Sequence, residues 1–291
     1  MKKQLPPPRI AAVHDLSCVG RCALTVIIPT LSVMGYQTVP VPTALLSTHT
    51  GGFTDLHFRD LTDDMHGVSD HFERLGMSFR AIYTGFLGSD RQIRTVEEFI
   101  GRFGDVPDES GRKPLILVDP VMGDDGELYS TYTPSLVEGI RQLSRHAHVL
   151  TPNLTEACIL TDTLYRDTKV MRPEETEQFV QMLLGRLGTL YSARTVITGI
   201  VTSDGCVVNA GIGEDGRIFK VERGQLGISY PGTGDIFASV LLGGLLVGKD
   251  LYESCAVAAD FVGELIDAST KIDTPVRMGV ALEPHLGKLI K

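Results

Sequence analysis

The sequence predicts an α/β protein, a mostly parallel central sheet flanked by helices on both faces, in one domain over residues 1–291. Three observations carry this expectation. Short apolar runs alternate with helical stretches through the first two thirds of the chain. That is the pattern of a parallel sheet covered on both sides. Polar residues collect at the ends of those runs, at Asp15, Asp119, Asn153 and Thr198. Parallel sheets bind their ligands outside the carboxyl ends of the strands. The 291 residues are 43% hydrophobic, enough for a large buried core.

In chain order, residues 9–13 read as a buried strand, and Gly20 opens a helical stretch over 22–34 that Gly35 closes. A second strand at 37–41 leads to the polar loop Ser47-Thr48-His49-Thr50-Gly51-Gly52. Residues 63–75 read as a helix ended by Gly76, 79–83 as a strand, and 89–103 as a helix. The apolar run 115–118 ends in Asp119-Pro120. Helix 136–143, strand 148–150, helices 153–160 and 173–187, and strand 195–197 follow. Beyond Thr198 the pattern changes to two short strands, 201–210 and 217–222, around Gly211-Ile212-Gly213-Glu214-Asp215-Gly216. That run matches GxGxxG in form, but no helix follows it, so it reads as a hairpin turn rather than a dinucleotide fingerprint. The last quarter reads as helices over 236–247, 251–265 and 281–290.

The formal charge of −9, with no basic stripe, argues against a nucleic-acid partner. A small anion such as ATP still fits, because backbone dipoles bind it locally. Cys18, Cys22, Cys158, Cys206 and Cys255 are scattered and odd in number, which fits a reduced cytosolic protein. Residues 1–9 are charged and then Pro-rich, without the apolar segment of a secretory signal. No run reaches the roughly 20 apolar residues that span a bilayer.

The chemistry concentrates in Pro231-Gly232-Thr233-Gly234-Asp235, just before an apolar helical run. Glycines let the backbone turn tightly and leave its N–H groups uncovered. A helix N-terminus adds unpaired donors and a partial positive charge. Gly232, Thr233 and Gly234 thus form an anion hole suited to a terminal phosphate. Asp235 is placed to take the proton of an attacking hydroxyl. Acidic residues also simply favour helix starts, and local sequence alone balances the two readings. Asp119-Pro120-Val121-Met122-Gly123 and Thr151-Pro152-Asn153-Leu154-Thr155-Glu156 each follow a strand. Asp119 and Glu156 suit Mg²⁺ held through waters; singly, each also reads as a solvated loop acid or a helix-start Glu. No GxxxxGK[ST] is present, so a P-loop enzyme is not supported.

These motifs, together with Ser47-Thr48-His49-Thr50 and Thr84-Gly85-Phe86-Leu87-Gly88-Ser89, stand in the order and spacing of a known family. Over about residues 10–265 the chain resembles the ribokinase-like superfamily and, within it, the vitamin B6 (pyridoxal/pyridoxamine) kinases. The resemblance implies ATP-dependent phosphorylation of a 5′-hydroxymethyl group, with Asp235 as base and Gly232 to Gly234 as anion hole. It places Asp119 and Glu156 near Mg²⁺ and the phosphates, with Asn153 nearby. It puts Thr198 and Gly199 beside the nucleotide, and Tyr129 on a flap over ATP. Thr50 and Gly51 fall where the family touches the pyridine substituents, and Ser47, His49 and Phe86 are further substrate-side candidates. It also implies a cytosolic homodimer, often aided by a monovalent cation such as K⁺.

The chain departs from the family twice. The first strand ends His14-Asp15-Leu16-Ser17, in the region where B6 kinases place Ser-His, and gapless alignment puts Asp15 at the usual Ser. An Asp there suits the ring hydroxyl or a ring N–H, or signals a shifted substrate. Phe86 replaces a common Tyr, keeping stacking and losing a hydroxyl. The related hydroxymethylpyrimidine kinases of thiamin synthesis also carry Asp near position 15, but usually have Cys where this chain has Asp235. That activity is the alternative, followed by a non-catalytic vitamer-binding protein and a sugar kinase. His49 reads equally as a substrate contact or a loop histidine. His146 and His148 read as a surface pair without a third ligand.

Overall fold

The computed structural model describes residues 6–224 and 228–290. Residues 1–5, part of the N-terminal segment read above, lie outside them. The chain begins β1 (Arg9–Val19), α1 (Leu24–Val33), β2 (Gln37–Thr48), β3 (Phe58–Asp60), α2 (Thr62–Arg74), β4 (Ala81–Thr84), α3 (Asp90–Phe103) and β5 (Leu115–Val118). It continues β6 (Gly123–Asp124), β7 (Glu127–Leu128), α4 (Pro134–Ser144), β8 (Val149–Leu150), α5 (Leu154–Leu160), α6 (Pro173–Tyr191) and β9 (Arg194–Val201). β10 (Val207–Ile212), β11 (Ile218–Arg223), α7 (Thr233–Leu246) and α8 (Leu251–Lys271) close the fold, with 3₁₀ turns at Val276–Met278 and Glu283–Leu289.

Among the described residues, nine strands form one sheet in the order β11-β10-β9-β8-β5-β4-β1-β2-β3. The six from β9 to β2 run parallel, and β3, β10 and β11 add antiparallel edges. Each central strand serves two cores, which is why its sequence is apolar without alternation. Ile10, Ala12, Tyr83 and Leu117 face a layer of α1, α7 and α8. Ala11, Val13, Ile82, Ile116 and Val118 face the layer of α2 to α6.

Helix starts follow side-chain capping. Ser89 caps α3 and Thr133 caps α4, while Asn153 with Glu156 and Asp250 with Glu253 form capping boxes on α5 and α8. α1, α2 and α7 start without a side-chain cap, and only α7 has a left-handed glycine there, Gly232 at φ 80°. A Cβ on Gly232 would fall 2.0 Å from the Arg21 carbonyl oxygen, so the position admits only glycine.

Several expectations shift. β1 runs on to Val19, so His14 and Asp15 lie inside it, at a bulge between His14 and Leu16. β9 runs to Val201, and the strand expected over 201–210 is β10, because residues 202–206 make the turn between them. The glycine run at 211–216 is a hairpin turn joining β10 and β11, as expected. The C-terminal helix expected over 281–290 is a 3₁₀ segment, its seven residues containing both Pro284 and Gly287. The edge strand β3 and the β6–β7 hairpin were not anticipated. No helix among the described residues is long and apolar enough to cross a membrane.

Candidate active site

The N-terminus of α7 meets the end of β1 and the segment Gly20 to Ala23. Thr233 is the first helical residue, so Asp235 is the third and sits inside the first turn. The amides of this turn have no helical acceptor. Thr233 Oγ1 donates to the Tyr230 carbonyl at 2.9 Å and braces the loop ahead of it. Asp235 Oδ2 accepts the Ala23 N–H at 2.8 Å, and Oδ1 lies 4.0 Å from Nδ1 of His14. Ser239 Oγ donates to the Asp235 carbonyl at 2.7 Å. Burial pushes the Asp235 carboxyl up to about 7; the Ala23 N–H opposes the shift and Asp15 adds to it.

His14 is buried, and burial pushes its ring down to about 3, so it stays neutral. It fits because Gly85 has no side chain: a Cβ there would lie 2.3 Å from His14 Cε1. Asp15 is also buried and accepts Ser17 Oγ at 2.9 Å; burial raises its carboxyl. The Cys22 thiol is held protonated by burial and by the nearby charges of Asp235 and Asp15. Asp15, Cys22 and Asp235 thus form one floor.

The β2 loop adjoins this floor. His49 Nδ1 accepts the Gly51 N–H at 3.1 Å, so Nε2 carries the proton and donates to the Arg277 carbonyl at 2.7 Å. Both ring nitrogens are therefore engaged by the protein, and His49 anchors its loop. Ser47 Oγ likewise accepts the His57 N–H at 2.9 Å. Thr50 and Gly51 stay exposed, while Phe86 is half-buried against Tyr132.

On the other side of Asp235 opens a cleft of about 500 Å³. Asp119, Tyr129, Asn153, Glu156, Thr198, Gly199 and the Gly232–Asp235 turn line it, so ten expected residues converge there. Asp15, Ser47, His49, Thr50, Gly51 and Phe86 do not line it. Val201, Val207, Ile228, Phe237, Val262 and Ile266 add an apolar lining to it. Glu156 Oε1 accepts the Met122 N–H at 3.0 Å and Oε2 the Asn153 N–H at 2.8 Å, so this acid also closes the α5 capping box. Asn153 Nδ2 donates to the Gly123 carbonyl at 2.8 Å and ties the β6–β7 hairpin to α5. Gly199, at φ 65°, donates its N–H to Asn209 Oδ1 at 3.1 Å. Burial raises both Asp119 and Glu156 well above the carboxylate range, with further repulsion from Asp235 on the first and Asp119 on the second.

Sequence reasoning missed His14, Cys22 and Ala23, which reach Asp235 only through the tertiary fold. It also missed Tyr132, which packs against Phe86 and Tyr129. The glycines at 20 and 85, each against a histidine ring, and Gly232, against the Arg21–Cys22 backbone, were the available signal.

Comparison with known proteins agrees with this fold. A putative phosphomethylpyrimidine kinase from Bacteroides thetaiotaomicron, crystallised with pyridoxal, is 38% identical, covers 97% of this chain and 96% of its own, and superposes with a TM-score of 0.85. Pyridoxal kinase from Lactobacillus plantarum is 29% identical over 97% of this chain and 96% of its own, also with a TM-score of 0.85. The pyridoxine/pyridoxal/pyridoxamine kinase of Bordetella avium is 27% identical over 97% of this chain and 92% of its own length. The family profile described as phosphomethylpyrimidine kinase matches residues 18–278, from the end of β1 to the turn after α8. Fold and profile coincide, and the chain belongs to the phosphomethylpyrimidine kinase family, with the ribokinase-like fold of the pyridoxal kinases.

Proposed function

We propose that this chain transfers the γ-phosphoryl group of ATP to the 5′-hydroxymethyl group of a B6 vitamer: pyridoxal, pyridoxamine or pyridoxine. The observation that carries the reading is the placement of Asp235, whose carboxylate separates a nucleotide-sized cleft from the Asp15–Cys22 floor. The nucleotide base takes the apolar lining of the cleft, and the phosphates point at the α7 N-terminus. The vitamer ring lies between Asp15 and the Thr50–Gly51 loop, with Phe86 at its edge. Likeness to a pyridoxal-bound structure and to pyridoxal kinases supports the vitamer as acceptor.

The chain's own groups then account for the chemistry. Asp235 takes the hydroxyl proton as the oxygen attacks the γ-phosphorus in line. The bond to the bridging oxygen breaks, and ADP leaves. The open amides of Thr233, Gly234 and Asp235 stabilise charge on the transferring group. Positioning of the two substrates supplies much of the remaining rate.

Mg²⁺ fits the residues present. Asp235 repels Asp119, and Asp119 repels Glu156, in a cleft where no cation offsets Asp119 among the described residues. No set of three or more His, Cys, Asp or Glu forms a direct cage among those residues. Asp119 and Glu156 would therefore hold the ion largely through water, as Mg²⁺ prefers. The chemistry such an ion supplies is neutralisation of phosphate charge. A monovalent cation such as K⁺, a homodimer and a cytosolic location belong to the same proposal, on the family resemblance.

The second reading is hydroxymethylpyrimidine kinase, favoured by the description of the family profile and by Asp15. Comparing kcat/KM for pyridoxal, pyridoxamine, pyridoxine and hydroxymethylpyrimidine, with ribose as control, separates the readings. The vitamers should lead. A higher value for the pyrimidine overturns the proposal, and no ATP consumption with any vitamer leaves a binding protein.

A further inference from the structure

Tyr132 stands between the two halves of the site without lining the cleft. Its side chain is buried, with the residue 9% exposed. Its hydroxyl reaches two backbone carbonyls: Leu87, at 3.1 Å, and Val121. Leu87 belongs to the loop after β4 that carries Phe86. Val121 donates its own N–H to the Asp119 carbonyl at 2.9 Å and precedes Met122, whose N–H holds Glu156. The ring meets Phe86 edge-on at 6.2 Å and Tyr129 edge-on at 6.4 Å. One side chain thus touches the vitamer-side aromatic, the nucleotide-side aromatic and the loop of the proposed metal acids.

A phenol has a single proton to donate. Burial, followed by the charge of Glu156, keeps that proton on Tyr132. Two loops therefore depend on one donor, and fixing either loop fixes the ring. A second ligand then meets a side chain already ordered, which favours its binding.

We propose that Tyr132 couples the two substrates: through its hydroxyl, shared by the Leu87 and Val121 carbonyls, an occupied vitamer subsite strengthens nucleotide binding, and the reverse. This rests on the vitamin B6 kinase reading. Binding linkage makes the effect reciprocal.

Calorimetry on the full chain tests this with pyridoxine and a non-hydrolysable ATP analogue plus Mg²⁺, each titrated alone and with the other saturating. In the wild type each ligand should tighten the other by about 5-fold or more. Tyr132→Phe keeps the ring and removes the hydroxyl. It should bring that ratio to about 1 while each separate Kd moves less than about 3-fold. A wild-type ratio of 1, or a variant that keeps the wild-type ratio, overturns the coupling. A second measurement needs no variant: pyridoxine alone should slow amide hydrogen exchange across residues 121–129, and unchanged exchange overturns the proposal. A wild type that binds no vitamer overturns the kinase reading, and the coupling with it; loss of coupling between two ligands that both bind overturns the coupling alone.

Discussion

Ala23 donates its N–H to Oδ2 of Asp235 at 2.8 Å, across 212 residues of sequence, from a backbone at φ 48° and ψ −135°. That conformation suits glycine and strains alanine, at a cost of about 1–3 kcal/mol. Replacing Ala23 by Gly also loosens the unfolded chain, which offsets about 0.4–1 kcal/mol. Ala23→Gly should therefore raise the unfolding free energy by about 1 kcal/mol, read from the urea midpoint. A lower midpoint contradicts the strain.

Asp235→Asn keeps the shape of the site and removes the base. Nucleotide affinity should stay within about 3-fold, while kcat falls about 10²- to 10⁴-fold. Calorimetry and steady-state rates check the two halves. Near-normal turnover removes Asp235 from the role of base.

The pH dependence of Asp235 has a defined sign. Its carboxyl binds a proton more tightly in the folded chain, at about 7, than at its ordinary value of 3.8. Its contribution to stability is therefore complete below pH 3.8 and is lost as pH rises through about 7. Activity moves the other way, because only the ionised form accepts a proton. The acid limb of kcat/KM should rise through an apparent pKa near 7. Asp235→Asn has no such titration and should gain in Tm over the wild type between pH 5 and pH 8. An equal difference at both pH values refutes the assignment.

Gly232 and Gly234 should respond in opposite ways to alanine. At Gly232 the new Cβ lies 2.0 Å from the Arg21 oxygen, with φ at 80°. Gly232→Ala should lose at least about 2 kcal/mol of stability. At Gly234 a Cβ meets nothing within 4 Å among the described residues, and the residue faces the cleft. Gly234→Ala should match or exceed wild-type stability by up to about 1 kcal/mol. Its methyl should raise the KM for ATP. Thermal unfolding and initial rates read both.

Asp119→Asn removes a buried acid that Asp235 repels. Without metal the variant should be at least as stable as the wild type. With Mg-ATP it should lose the ligand-induced rise in Tm, its affinity falling about 10- to 100-fold. A full Mg²⁺-dependent rise in the variant takes Asp119 out of the metal site.

Local pattern made much of the fold legible. The run 115–118 is β5 to the residue, and Asn153 with Glu156 caps α5 where polar residues were expected to follow a strand. The cleft acids and the Gly232–Asp235 turn were legible because each follows a strand or opens a helix. The β6–β7 hairpin escaped because its strands are two residues long, although Asp125-Gly126 is a hairpin-turn pair. His49 was left open, and its hydrogen bonds to Gly51 and Arg277 depend on a C-terminal segment that no local window contains. Ala23 and His14 are invisible for the same reason. Their importance is a property of what packs against them.

The separation of Ala23 from Asp235 also sets a timetable for synthesis. A ribosome adds about 5–20 residues per second, so about 10–40 s pass between making Ala23 and making its partner 212 residues later. Through that interval the β1 face bearing Ile10 and Ala12 has emerged with α1, but α7 and α8, which complete its cover, have not. A nascent chain halted before α7 holds the vitamer-side residues and an open apolar face, but neither the base nor the anion hole. Holdase chaperones should engage such chains, and shortened products should carry no residual turnover.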